Sequence, residues 1–235
     1  MVHLRAFKAI EDEQACLSFS NGHMKVLADY GVTKVTSAKN DWMYNPDVYV
    51  VIASLPETSE VVGGVRVHVA GSSGIPLPFE TAVAQVDTRV YDLVDKHRMA
   101  GTAELCGLWN ARAVAGRGLG IKYMMWAGIA LSHNIGLKTL FALAAEHTLP
   151  ISIDKGFVLE TSIGNNGGFV YPKLDLVATS IVIPDLKTLE FAKHDERQRI
   201  IRLREAKYER VIENTQKGPW EVIYDLRMAT KPPAH

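Results

Sequence analysis

The alternation of apolar and polar positions divides the chain into elements before any chemistry is considered. Residues 3–9 alternate weakly and predict a first strand. Residues 11–30 carry apolar side chains at helical spacing and stop at Gly31, which predicts a helix. The β-branched and aromatic run 47–55, the turn residues 56–59 and the run 60–70 predict a hairpin. Residues 71–78 read as a loop and 80–98 as helical. A strand over 102–110 leads into a largely buried helix over 118–134, which Gly136 ends. Residues 138–145 predict a strand, 149–155 a short helix and 175–183 a late strand. Beyond Pro184 the texture changes. Residues 186–216 are rich in Lys, Arg and Glu, with Ile200, Ile201, Leu203, Tyr208, Val211 and Ile212 on a narrow stripe. This predicts an amphipathic helical region, and 220–226 reads as a last strand. The organisation expected is a main domain over 1–185 and a C-terminal helix and strand over 186–235 packed on it.

Composition narrows the function classes. The 235 residues suit one large domain with an appendage. Lys plus Arg number 26 and Asp plus Glu number 26, so no net field favours nucleic acid or an anionic membrane. The mixed signs on the late helix point to a solvated face rather than a nucleic-acid surface. No apolar run approaches the roughly 20 residues that span a bilayer. Cys16 and Cys106 lie far apart and form no CxxC, as expected of reduced, buried thiols in a cytoplasmic protein. The histidines are scattered, and no metal is expected.

The stretch Ala115-Gly116-Arg117-Gly118-Leu119-Gly120-Ile121 lies between a strand and a helix. A helix N-terminus leaves backbone N–H groups unpaired and partially positive, and bare glycines let phosphate oxygens approach them. The alternative is a tight turn that needs glycine for geometry alone. Two nucleotide motifs fail on spacing. A dinucleotide fingerprint wants a third glycine where Tyr123 stands, and a P-loop wants Gly-Lys-Ser/Thr where the chain has Gly120-Ile121-Lys122.

Leu108 to Met124 resembles the acyl-coenzyme A loop of the GNAT acyltransferase superfamily, Gln/Arg-x-x-Gly-x-Gly/Ala, with Gly118 and Gly120 in place and Ala115 at the first position. Gly156-Phe157 is similar to the Gly-Phe that ends the family's last helix before a hairpin. The resemblance covers residues 3–185 and implies an α/β fold: a mixed, mostly antiparallel twisted sheet flanked by helices, here with a C-terminal helical appendage. Trp42, Tyr49-Val50-Val51, Gly63-Gly64-Val65-Arg66 and Glu104-Leu105 also resemble the N-acyl-homoserine lactone synthase and N-acyl amino acid synthase branch. There the chain departs from the family's Glu-Leu-Ser-Arg, with Cys106 and Gly107 at the last two positions.

The resemblance implies acyl transfer from acetyl-CoA or another acyl-CoA to a small-molecule amine. It implies that residues 115–121 bind the cofactor's pyrophosphate, with the helix starting at Gly118. Leu108, Trp109 and Asn110 would bind the pantetheine arm. Glu104 lies fourteen positions before Gly118, as the catalytic glutamate does in histone-acetylating members. A glutamate in an apolar strand is costly to ionise, and burial raises its pKa toward the range of a useful base. An ion pair with Arg66 is the structural alternative. Arg66 and Trp42 are candidates for the acceptor pocket. The family's acid is a tyrosine before the Gly-Phe; Ser152 falls there, leaving Tyr171 or water for that role. An acyl carrier protein as donor would need basic surface at the loop, for which Arg112, Arg117 and Lys122 are candidates. A fold that binds acyl-CoA without turnover is the reading outside the enzyme class. By analogy with paired members, the strand at 220–226 is a candidate homodimer surface.

Overall fold

The structure, a computed structural model, describes residues 1–29, 31, 40–71, 73–170, 177–215 and 217–228. Its strands are β1 (Val2–Lys8), β2 (Val48–Leu55), β3 (Glu60–Val69), β4 (Thr102–Asn110), β5 (Thr139–Ala145), β6 (Val158–Leu159), β7 (Gly168–Val170), β8 (Val177–Ile183), β9 (Tyr208–Thr215) and β10 (Gly218–Asp225). Its α-helices are α1 (Glu13–Asp29), α2 (Pro78–Val83), α3 (Val90–Arg98), α4 (Arg112–Ala115), α5 (Lys122–Asn134), α6 (Leu149–Asp154) and α7 (His194–Ala206).

Among the described residues the strands join one sheet in the order β6-β8-β5-β4-β3-β2-β1-β10-β9, with β7 also on β8. Pairing is antiparallel except for β4 with β5 and β1 with β10. The sheet is mixed and mostly antiparallel, as expected. One face carries α1, the 41–44 turn, α2 and α3, and holds two apolar clusters around Phe19 and Phe79. The other carries α5, over which α7 packs. Helix α5 is therefore enclosed from both sides, and every residue from Tyr123 to Ser132 is buried. That is why its sequence shows no polar stripe.

Four expectations are corrected. Helix α5 begins at Lys122 rather than Gly118, because Gly118 has φ +100°, which no right-handed helix accommodates. The helical stretch 80–98 is two helices, broken between Val83 and Val90. The helical region 186–216 is half strand: Lys207 takes a left-handed conformation at φ +56° and closes α7, and Tyr208–Thr215 then pairs with β10. Tyr208, Val211 and Ile212 fit a helical stripe by spacing, yet the native strand exposes Tyr208 and Ile212. The appendage is thus a helix plus a hairpin that extends the main sheet. Strand β10 lies between β1 and β9, with both edges paired, so the surface once expected to pair with a second copy is internal.

Candidate active site

Strand β4 organises the site. It pairs with β5 only from Thr102 to Glu104, opposite Thr139 to Phe141. Beyond Glu104, β4 continues to pair with β3 and β5 with β8, so the two parallel strands part. Glu104 sits at the vertex of this opening. Three residues further, β4 carries a bulge. Arg66 faces Cys106 and Gly64 faces Trp109, so Gly107 and Leu108 together oppose Val65. The bulge turns Trp109 onto the α1 face, where its ring packs edge-on to Phe19 at 5.8 Å. Gly107 has φ +58°, and a Cβ there would lie 2.9 Å from Arg66 Nε. The bare position that departs from the resembled family is thus the space in which the Arg66 guanidinium lies.

Register places Arg66 and His68 of β3 on the same face as Cys106 and Glu104. Arg66 is fully buried, with its guanidinium 4.3 Å from the Trp42 ring centre and 5.5 Å from that of Phe19. Two aromatic faces suit a cation that has lost its water. Trp42 and Arg66, both candidates for the acceptor side, are in direct contact. Glu104 is 3% exposed, and Phe79 N–H donates to its Oε2 at 2.5 Å. Burial pushes its carboxyl up to about 8, against the opposing pull of that N–H and of the Arg66 charge. His68, directly across from Glu104, is held well below the usual histidine value, by burial first and by Arg66 second. Its buried Nε2 has no hydrogen-bond partner among the described residues. Phe79 and Phe141 stack at 5.3 Å beside the vertex.

The glycine loop lies beyond the C-terminal end of β4. Asn110 Nδ2 donates to Leu119 O at 2.7 Å, so this residue braces the loop. Ala115 ends the short α4, Gly116 and Arg117 are exposed, and Leu119 is buried as an anchor. The two motif glycines have different reasons to be bare. At Gly118 a Cβ would lie 2.2 Å from Thr215 Oγ1, and φ is positive, so the protein itself requires glycine there. At Gly120 a Cβ would meet nothing within 4 Å. The backbone N–H groups of Gly120, Ile121 and Lys122 find no acceptor among the described residues, as expected for the first turn of a helix. These groups fit an anionic ligand: open space and unspent donors at the positive end of a 13-residue helix.

The remaining candidates sort as follows. Leu108 is half-buried on the bulge, and the Trp109 ring is 3% exposed within the α1 cluster, so its side chain lines no channel. Ser152 Oγ donates to Thr148 O at 3.0 Å. Tyr171 lies outside the described residues. His68 reads in the sequence as one of the scattered histidines, although the strand alternation of Arg66-Val67-His68 places it with Arg66. The sequence pattern also reads β9, whose Thr215 abuts Gly118, as helix, although it reads β10 as a strand. Among the described residues no three His, Cys, Asp or Glu side chains cluster as a metal site, and no helix is long and apolar enough to cross a membrane.

This architecture, a splayed β4/β5 pair with a glycine loop leading into a central helix, is a fold shared with solved structures of GNAT-fold acyltransferases. No family model matches the chain, and no curated protein sequence does. The likeness is carried by the backbone. FeeM, an N-acyl amino acid synthase from uncultured soil microbes, superposes with a TM-score of 0.57 at 10% identity, over 82% of this chain and 95% of that one. ElaA of Escherichia coli gives 0.54 at 10% identity, over 77% and 99%. BjaI, a CoA-dependent acyl-homoserine lactone synthase, gives 0.52 at 15% identity, over 87% and 89%.

Proposed function

We propose that this protein is an N-acyltransferase that moves an acyl group from a coenzyme A thioester directly to a small-molecule amine, with Glu104 as general base. The observation that carries the reading is the joint placement of two features on one strand-loop-helix unit. A buried carboxyl with a raised pKa stands where β4 and β5 part, and unspent N–H donors with open space stand at the start of α5. Each has a distinct task. The N–H groups of Gly120 and Ile121 hold pyrophosphate oxygens. Asn110 fixes the loop through Leu119 O. The unpaired edge of β4 beyond Glu104 supplies backbone N–H to polarise the thioester carbonyl. Glu104, ionised, takes a proton from the incoming ammonium, directly or through water, so that a neutral amine attacks. Arg66 and Trp42 are the proposed acceptor side of the site, and the buried Arg66 charge suits an acceptor that carries a carboxylate as well as its amine. Tyr171 stands as the proposed acid.

Calorimetry with coenzyme A and acetyl-CoA tests the donor half, with Gly120→Asp as the variant. Position 120 is the discriminating one, since an aspartate at 118 strains the loop whether or not a ligand binds there. Thiol release from acyl-CoA with a panel of amines and amino acids tests the other half, with Glu104→Gln as the variant. Binding without release by the unaltered protein would make the chain a binding module.

A further inference from the structure

The C-terminal hairpin β9–β10 touches the glycine loop at three points. Thr215 abuts Gly118. Trp220 Nε1 donates to Arg117 O at 2.7 Å. The Arg117 guanidinium lies 4.9 Å from the Trp220 ring centre. Between loop and hairpin lies a polar groove of about 330 Å³, lined by Met1, Gly116, Arg117, Lys217, Pro219, Trp220 and Glu221. Its cationic side chains are Arg117 and Lys217. Its one carboxylate, Glu221, is engaged by Arg210 at 2.5 Å. The groove is therefore net cationic, and Arg117 is held by stacking rather than free to wander.

We propose that this hairpin completes the donor site and that the groove takes the nucleotide end of coenzyme A, with Arg117 and Lys217 on the 3′-phosphate. The proposal rests on the N-acyltransferase reading and deepens it. Gly116 and Arg117 of the groove and the open N–H groups at Gly120 and Ile121 belong to one short loop. On this proposal a ligand whose pyrophosphate lies on the latter extends its far end into the groove. A phosphopantetheine arm on a carrier protein has no adenosine phosphate to place there. The groove thus favours free coenzyme A over a carrier protein as the donor.

The test is calorimetry on the full chain with coenzyme A, dephospho-coenzyme A and 4′-phosphopantetheine, for the unaltered protein and for Lys217→Glu and Arg117→Gln. Lys217 is exposed at the hairpin turn, so its replacement leaves the fold intact. The expected result is coenzyme A binding on the order of tenfold more tightly than the dephospho form, the worth of two partly exposed ion contacts. Each variant narrows that ratio, and 4′-phosphopantetheine affinity stays constant. Equal affinity for the two coenzymes in the unaltered protein overturns the proposal. So does a Lys217→Glu loss that extends equally to 4′-phosphopantetheine, or a holo acyl carrier protein that binds more tightly than coenzyme A. If 4′-phosphopantetheine binds and the 3′-phosphate makes no difference, only this inference falls. If neither coenzyme A nor 4′-phosphopantetheine binds, the acyltransferase reading falls with it.

Discussion

The face carrying Arg66, His68 and Glu104 and the loop carrying Gly118 and Gly120 are built on opposite plans. The first is dry: all three side chains are at least nine-tenths buried. Its chemistry comes from removing water, which raises the Glu104 pKa and holds His68 neutral. The second is wet and nearly free of side-chain chemistry. Its capacity comes from backbone donors left unspent and from space left empty. Proton transfer from an ammonium needs a carboxylate made basic by desolvation. Capture of a diphosphate needs access and fixed dipoles. One strand-loop-helix unit supplies both because β4 is buried at Glu104 and emerges at Asn110.

The comparison breaks first at Glu104. Glu104→Gln is expected to lower turnover by about 10²–10⁴ while coenzyme A affinity is unchanged, read by thiol release and calorimetry. If turnover survives, the dry face is structural. In the unaltered protein the base works only when ionised, so kcat is expected to rise with pH through about 8 and to level above it. Gln at this position abolishes that limb of the profile.

The two glycines come next, because they separate fold from ligand within a single loop. Gly118→Asp is expected to cost about 2–3 kcal/mol by strain at positive φ and collision with Thr215, seen as a lower Tm without any ligand. Gly120→Asp is expected to leave Tm near that of the unaltered protein and to weaken coenzyme A binding tenfold or more, through repulsion of the phosphates, on the order of 1.4 kcal/mol. Matching Tm losses would return Gly120 to a purely conformational role.

Stability as a function of pH probes the dry face alone. A carboxyl whose folded pKa of about 8 exceeds its unfolded value stabilises the fold below the unfolded pKa, and that contribution is lost as pH rises through about 8. Chemical denaturation is therefore expected to show stability falling between roughly pH 5 and 8, by a few kcal/mol. In Glu104→Gln this fall is expected to be largely absent. The smallest effect is at the junction of the two regions. Asn110→Ala removes one hydrogen bond to the loop and is expected to cost about 1 kcal/mol, with a modest loss of coenzyme A affinity.

The sequence alone determined what depends on near neighbours. The strands β2, β3, β4 and β5, the buried character of α5 and the glycine loop are all local patterns, so period and composition reveal them. Glu104 was legible because a lone carboxylate in an apolar strand is conspicuous. Arg66 and Trp42 were named through resemblance, and only the register of β3 and the placement of the 41–44 turn brought the ring over the guanidinium. Tertiary structure alone decided the rest. Residues 208–215 became a strand because β10 had inserted beside β1 from more than 200 positions away, a pairing no local window contains. That insertion set Thr215 against Gly118 and Trp220 against Arg117, so one motif glycine is required by the fold and the other is bare against open space. The sequence shows two bare residues, and only the contacts around them, contributed by a distant hairpin, distinguish their reasons.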